Sequence, residues 1–205
     1  MTLSKPALAF LGGTFDPVHQ GHINPLLELA DTFHWQQIHL LPSCLPPHRE
    51  QPKASDEQRL AMLQLAAKQD HRLIVNDWEI SQGKPSRTKR TLDYFRTAYP
   101  NHKLYFVMGM DSWVTLHQWL NWQHLNQFAD LVVLPRPGYN ATQAAASVQH
   151  WLAEQTNIHF PAVTETNISA TELRQLIKHW QPGDPLPPLL FAETFSYILS
   201  HNLYR

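Results

Sequence analysis

The sequence predicts an α/β fold: a doubly wound parallel sheet with helices on both faces. Short apolar runs alternate with segments of helical periodicity along the chain, the pattern of strands joined by crossover helices. A glycine pair stops the first apolar run, as expected of a buried strand entering a tight loop. The 205 residues suit one domain, or one with an appendage, and can bury a real core. No repeat, coiled coil, low-complexity tract or domain boundary divides them.

Residues 7–11 are apolar and short, a strand. Ile23, Leu26, Leu27 and Ala30 follow a helical spacing over 23–33. Pro25 is tolerated only in a first turn, so this helix should begin near Gly21 and His22. Residues 37–41 read as a second strand, and 56–69 as a helix with Asp56 as N-cap and Leu60, Leu63 and Ala67 facing inward. A strand at 73–78, a helix at 88–98, a strand at 103–108 and a helix at 112–120 follow. Next come a strand at 130–134, a helix at 141–154, a short strand at 157–160 and a helix at 170–179. A proline-rich passage, 182–188, precedes a last helix over 191–200. Two long loops, 42–52 and 83–90, stand out, and long loops in compact domains are often functional. Sheets of this kind take ligands outside the carboxyl ends of their strands.

Sixteen Lys and Arg against 17 Asp and Glu leave a net charge of −1, without the basic excess of a general nucleic-acid binder. One cysteine excludes a disulfide framework and any Cys-based zinc cluster, and fits a reducing compartment. No apolar run is long enough to span a membrane, and the first six residues lack the features of a signal peptide. A soluble cytoplasmic protein is expected. Glycine is scarce, seven in all, yet Gly12, Gly13 and Gly21 fall together beside His19 and His22.

The segment from Gly12 to His22 reads GGTFDPVHQGH and links the first strand to the first helix. It is neither a Walker A loop nor a GxGxxG dinucleotide motif, but it has the parts of a phosphate site. Gly12 and Gly13 let backbone N–H groups approach an anion. The helix start adds unpaired donors and a favourable dipole. His19 and His22, three apart, can project from one side of it and donate to phosphate oxygens. The alternative is a tight turn with surface histidines and Asp16 as a cap. A zinc site is disfavoured, because Cys44 stands alone and HExxH is absent.

GGTFDPVHQGH resembles the signature of the HxGH nucleotidyltransferases, and its Thr-Phe-Asp-Pro core that of the bacterial nicotinate-mononucleotide adenylyltransferases. Residues 168–174, ISATELR, are similar to their second signature, ISxTxxR. The likeness continues through 46–49 (PPHR), 85–88 (PSRT), 109–112 (GMDS), Trp119, 136–138 (RPG) and 203–205 (LYR), nearly the whole chain. It implies a Rossmann-like single nucleotidyltransferase domain over 1–205, with 168–205 as its helical C-terminal part.

The resemblance further implies transfer of AMP from ATP to the phosphate of nicotinate mononucleotide, with release of pyrophosphate. Such direct transfer needs anions positioned and charge neutralised rather than a nucleophile. Mg²⁺ would ride on the ATP phosphates, with no protein metal residue assigned. Gly12, Gly13, Thr14 and Phe15 would approach the ATP phosphates, Thr14 and Phe15 also the mononucleotide. His19 and His22 would bind phosphates, His22 being the leading candidate to stabilise the transition state. Ser169, Thr171 and Arg174 would hold the β- and γ-phosphates; otherwise Ser169 is an N-cap and Arg174 a surface charge. Asp111 would meet a ribose hydroxyl or act as a helix N-cap, and Arg136 would lie near the nucleotide. Trp119 would stack on the nicotinate ring, with Trp113 and Trp122 as competitors. Thr88 would meet the pyridine carboxylate. Arg87 stands where relatives often place an aromatic residue; it adds a cation there or points to solvent, and Lys84, Arg87, Lys89 and Arg90 otherwise form a solvated face. His48 or Arg49 would grip the mononucleotide phosphate.

Three rivals remain. The acceptor could be nicotinamide mononucleotide or phosphopantetheine. The chain could be a regulatory module that binds nucleotide without turnover, although it keeps both motifs. A class I aminoacyl-tRNA synthetase fragment would need a KMSKS-like loop, which is missing.

Overall fold

A computed structural model describes residues 5–44, 51–164 and 166–205. Six strands, β1 (Ala7–Gly13), β2 (Trp35–Pro42), β3 (Leu73–Val75), β4 (Lys103–Gly109), β5 (Asp130–Leu134) and β6 (Ile158–His159), form one sheet. Every pairing is parallel, in the order β3-β2-β1-β4-β5-β6. The helices are α1 (Gln20–Thr32), α2 (Asp56–Ala66), α3 (Trp78–Ser81), α4 (Thr88–Ala98), α5 (Met110–Val114), α6 (Ala146–Leu152), α7 (Ala170–His179) and α8 (Ala192–Ser200). Among the described residues none is long and apolar enough to cross a membrane.

Alternation along the strands feeds two cores. Ala7, Ala9 and Leu11 of β1, with Tyr105 and Val107 of β4, meet Ile23, Leu26, Met62, Leu63, Leu173, Ile177 and Ile198. Leu8, Phe10, Phe106 and Met108 face the other way, onto Leu92, Phe95, Trp113 and Val148. Buried on both sides, these strands are apolar runs rather than strict alternations.

Several boundaries differ from the sequence expectation. Ser55, not Asp56, caps α2, in a reciprocal box with Gln58. The helix accordingly turns Arg59, Met62, Leu63 and Ala66 inward and leaves Leu60 and Ala67 half-buried. Pro25 lies in the second turn of α1, where the bond it forfeits is to the carbonyl of Gly21. The third strand ends at Val75, and Trp78 opens α3. The helix expected over 112–120 is α5 followed by a 3₁₀ turn, Leu116–Gln118. Thr115 bends its hydroxyl back to the carbonyls of Asp111 and Ser112 there, competing with the helical ladder. The helix expected over 141–154 is split into a 3₁₀ turn, Ala141–Gln143, and α6.

Candidate functional site

The chain leaves β1 toward β2 on one side and later returns to β4 on the other, so a crevice opens where the connections diverge. A cleft of about 820 Å³ lies there, at the carboxyl ends of the strands. It is lined by Gly12, Gly13, Thr14, Phe15, His19, His22, Thr88, Asp111, Trp119, Arg136, Ser169, Thr171 and Arg174. Every site residue expected from sequence is therefore brought to one cavity except His48 and Arg49, which lie outside the described residues.

The glycines of the first loop provide space rather than unusual backbone angles. None of Gly12, Gly13 and Gly21 has a left-handed φ; buried Phe15 does, at 53°. A Cβ on Gly13 would stand 3.0 Å from the Phe15 ring. One on Gly21 would stand 3.0 Å from the His19 ring and 2.8 Å from Thr166 Oγ1. Gly12 is less constrained, since its Cβ would only touch Phe106 at 3.7 Å.

His19 is the N-cap of α1 and is 3% exposed. Its backbone N–H donates to His22 Nδ1 at 3.3 Å. With Nδ1 accepting, the ring proton of His22 sits on Nε2, leaving that nitrogen a donor. The two rings lie 3.8 Å apart, and Phe15 packs edge-on against His22. Burial, with the nearby Arg136 charge, holds the His19 pKa down at about 4. It is thus neutral near pH 7, and among the described residues its Nδ1 finds no partner.

Asp16, a candidate cap in the sequence, is a junction. Its carboxylate accepts from Lys53 N (2.8 Å), Ala54 N (3.0 Å) and the Tyr204 hydroxyl (2.7 Å). Its backbone carbonyl accepts from Arg174 Nη1 at 2.7 Å. Arg59, fully buried, braces the same loop from below. It donates to Thr14 O and Ser43 O, each at 2.7 Å, and pairs with Asp56. Sequence reading missed Arg59 as a functional neighbour; the available signal was a cation on the apolar stripe of α2.

The second motif packs beside the first loop, joined to it through Arg174 and Asp16. Ser169 caps α7, accepting from Glu172 N and donating to Glu172 Oε2 at 2.7 Å. Those bonds hold the Glu172 pKa below its ordinary value. Arg174 Nη2 donates to Thr171 Oγ1 at 3.1 Å, so the guanidinium is steadied from both motifs. Asp111 lies in the first turn of α5, where Gly109 is the N-cap, with Arg136 Nε 4.0 Å from its Oδ1. A Cβ on Gly109 would fall 2.5 Å from that carboxylate.

On another wall of the cleft, Thr88 is the first residue of α4 and Arg87 its N-cap. Neither was flanked, in the sequence reading, by Glu79, a buried carboxyl that lines the same cleft. Thr91 Oγ1 donates to Glu79 Oε1 at 2.6 Å. Burial raises the Glu79 pKa, against the pull of Ser86, Thr91 and Arg90. Of the three candidate tryptophans, Trp113 and Trp122 are core residues, whereas Trp119 is half-buried, lines the cleft and meets Phe106 edge-on. Among the described residues no three His, Cys, Asp or Glu side chains gather as a metal cage.

The cytidylyltransferase-like family model matches residues 10–176. The chain is 37% identical to a protein of Idiomarina loihiensis named "Probable nicotinate-nucleotide adenylyltransferase", over 96% of this chain and 98% of that protein. A Pectobacterium atrosepticum protein of the same name is 39% identical, with the same coverage. The fold is similar to that of Plasmodium falciparum nicotinic acid mononucleotide adenylyltransferase complexed with NaAD: TM-score 0.76, 18% identity, 97% of each chain.

Proposed function

This chain belongs to the cytidylyltransferase-like family, and on that premise we propose that it is a nicotinate-nucleotide adenylyltransferase of NAD biosynthesis. A phosphate oxygen of nicotinate mononucleotide attacks the α-phosphorus of ATP. The new P–O bond forms as the bond from the α-phosphorus to the bridging oxygen breaks, and pyrophosphate leaves with that electron pair. The observation that carries this reading is the Arg174 to Asp16 backbone bond, which joins the two phosphate motifs across 158 residues of sequence.

His22 Nε2–H donates to an α-phosphate oxygen, where charge builds in the transition state. Neutral His19 supplies a further polar contact, and Gly12, Gly13, Thr14 and Phe15 present backbone to the phosphates. Ser169, Thr171 and Arg174 hold the β- and γ-phosphates. Asp111 and Arg136 face the nucleotide. The donor is MgATP, and the ion arrives on its phosphates. On the acceptor side, the open N-terminus of α4 at Thr88 suits the nicotinate carboxylate, and Trp119 suits its ring. His48 and Arg49 are assigned to the mononucleotide phosphate on their sequence match alone. We read 1–205 as one nucleotidyltransferase domain with 168–205 as its C-terminal part; the Arg174 and Tyr204 bonds to Asp16 support this. A cytoplasmic location accords with the single, buried, free thiol of Cys44.

The test is turnover of purified protein with MgATP and either mononucleotide. Nicotinate adenine dinucleotide and pyrophosphate should form, with the amide a poor acceptor. Equal turnover of both would overturn the acid assignment, and turnover of neither the reaction itself.

A further inference from the structure

Tyr204, near the end of the sequence, reaches Asp16, which lines the cleft. Helix α8 ends in a Schellman turn: Leu203 N donates to Ile198 O and Asn202 N to Leu199 O, with Asn202 left-handed at φ 51°. Leu203 returns to the core beside Ile198. Tyr204, itself left-handed at φ 64°, then delivers its hydroxyl to Asp16 Oδ1.

A carboxylate offers about four lone-pair positions. On Asp16, Lys53 N, Ala54 N and Tyr204 fill three. The cation beside it, Arg174 Nη1, stands 3.8 Å from Oδ2, and bonds the backbone carbonyl instead. Arginine and carboxylate prefer a close, bidentate pair, so something must prevent it here. We propose that Tyr204 is a positioning residue: its hydroxyl occupies Asp16 and so keeps Arg174 available to the triphosphate of ATP. Ala54 N and the Tyr204 hydroxyl together fill Oδ1, whereas Oδ2, the oxygen nearer Arg174, carries only Lys53 N. Without the hydroxyl, Oδ1 can join Oδ2 in a bidentate pair with the guanidinium, and ATP must compete with Asp16 for it. This inference rests on Arg174 being the phosphate clamp proposed above.

The experiment is calorimetric titration of MgATP, without acceptor, into the wild type, Tyr204→Phe, Arg174→Ala and the double variant. Tyr204→Phe should weaken MgATP binding by about three- to tenfold, a coupling ordinary for residues in one polar network. In the Arg174→Ala background the same change should have no effect. A merely structural tyrosine would lower the melting temperature but weaken ATP equally in both backgrounds, which would overturn the inference, as would wild-type affinity in Tyr204→Phe. Should Tyr204→Phe not fold, the chain ended after Leu203 keeps the Schellman turn and is read by the same criteria. A wild type that does not bind MgATP would instead sink the reading of the cleft.

Discussion

The wall formed by the first loop and α7 is knitted together by side chains, whereas the wall formed by Ser86, Arg87, Thr88 and Trp119 is, among the described residues, held by fewer bonds. In the first, Asp16 joins four segments of chain, Arg59 braces Thr14 and Ser43, and a capping box sets the start of α7. In the second, among the described residues, the buried carboxyl of Glu79 ties Ser86 and Thr91, Cys44 N donates to Ser86 Oγ at 3.0 Å, and Trp119 rests on a ring edge. The contrast follows the proposed chemistry. Atoms that meet developing charge need fixed positions, while a wall that admits and releases an aromatic acceptor can yield.

Changes on the knitted wall should therefore act on rate or folding, and changes on the looser wall on acceptor binding. The largest effect is expected from His22→Ala, a loss of about 10²–10³ in kcat, as for an oxyanion donor. Steady-state assays check it; near-normal turnover would return His22 to a structural role. Arg59→Met should destabilise the fold by about 2–4 kcal/mol, because it strands the Thr14 and Ser43 carbonyls and Asp56. Urea unfolding measures this, and a loss under about 1 kcal/mol would show the brace to be dispensable.

Trp119→Ala should raise the acceptor KM about tenfold, leaving the ATP KM near normal. An unchanged acceptor KM would remove Trp119 from the site. Acid should loosen the molecule through His19 and His39, each held at about 4 by burial, against an ordinary 6.5. The unfolded chain takes up these protons first on acidification, so stability is full above about pH 6.5 and falls toward pH 4. The slope is at most about 1.4 kcal/mol per pH unit for each histidine. Denaturation midpoints that stay flat across that window would contradict the burial argument.

The smallest effect is expected at Glu79. Its raised pKa means that the fold disfavours the ionised form, so this contribution worsens as pH rises above 4.5. Glu79→Gln keeps an acceptor for Thr91 without the charge. It should be neutral or slightly stabilising at pH 7, with any gain vanishing near pH 4 in thermal melts. A large loss at pH 7 would mean that the looser wall depends on this charge.

Much of this is legible in the sequence. Helix α4 and strand β5 have the bounds that their periodicity implies, and α7 follows ISATELR to the residue. Short, neighbour-dependent elements were less so. The 112–120 segment breaks where Thr115 bonds backwards, and α2 is rotated so that a cation faces the interior. Spacing puts Arg59 on the face of Met62, Leu63 and Ala66, but a cation there is unfavourable in itself; only the carbonyls of Thr14 and Ser43, contributed by other elements, make its burial favourable.

By itself the sequence determined the alternation of strands and helices, the two signature motifs and the residue types that each brings to the cleft. These depend on local periodicity and on chemistry carried within a few neighbouring positions. Tertiary structure alone decided that the glycines make room for Phe15 and His19, that His22 is a donor at Nε2, and that the C-terminal tyrosine bonds Asp16. Each of those depends on the distance between atoms far apart in the chain, which packing of the sheet and its two cores sets.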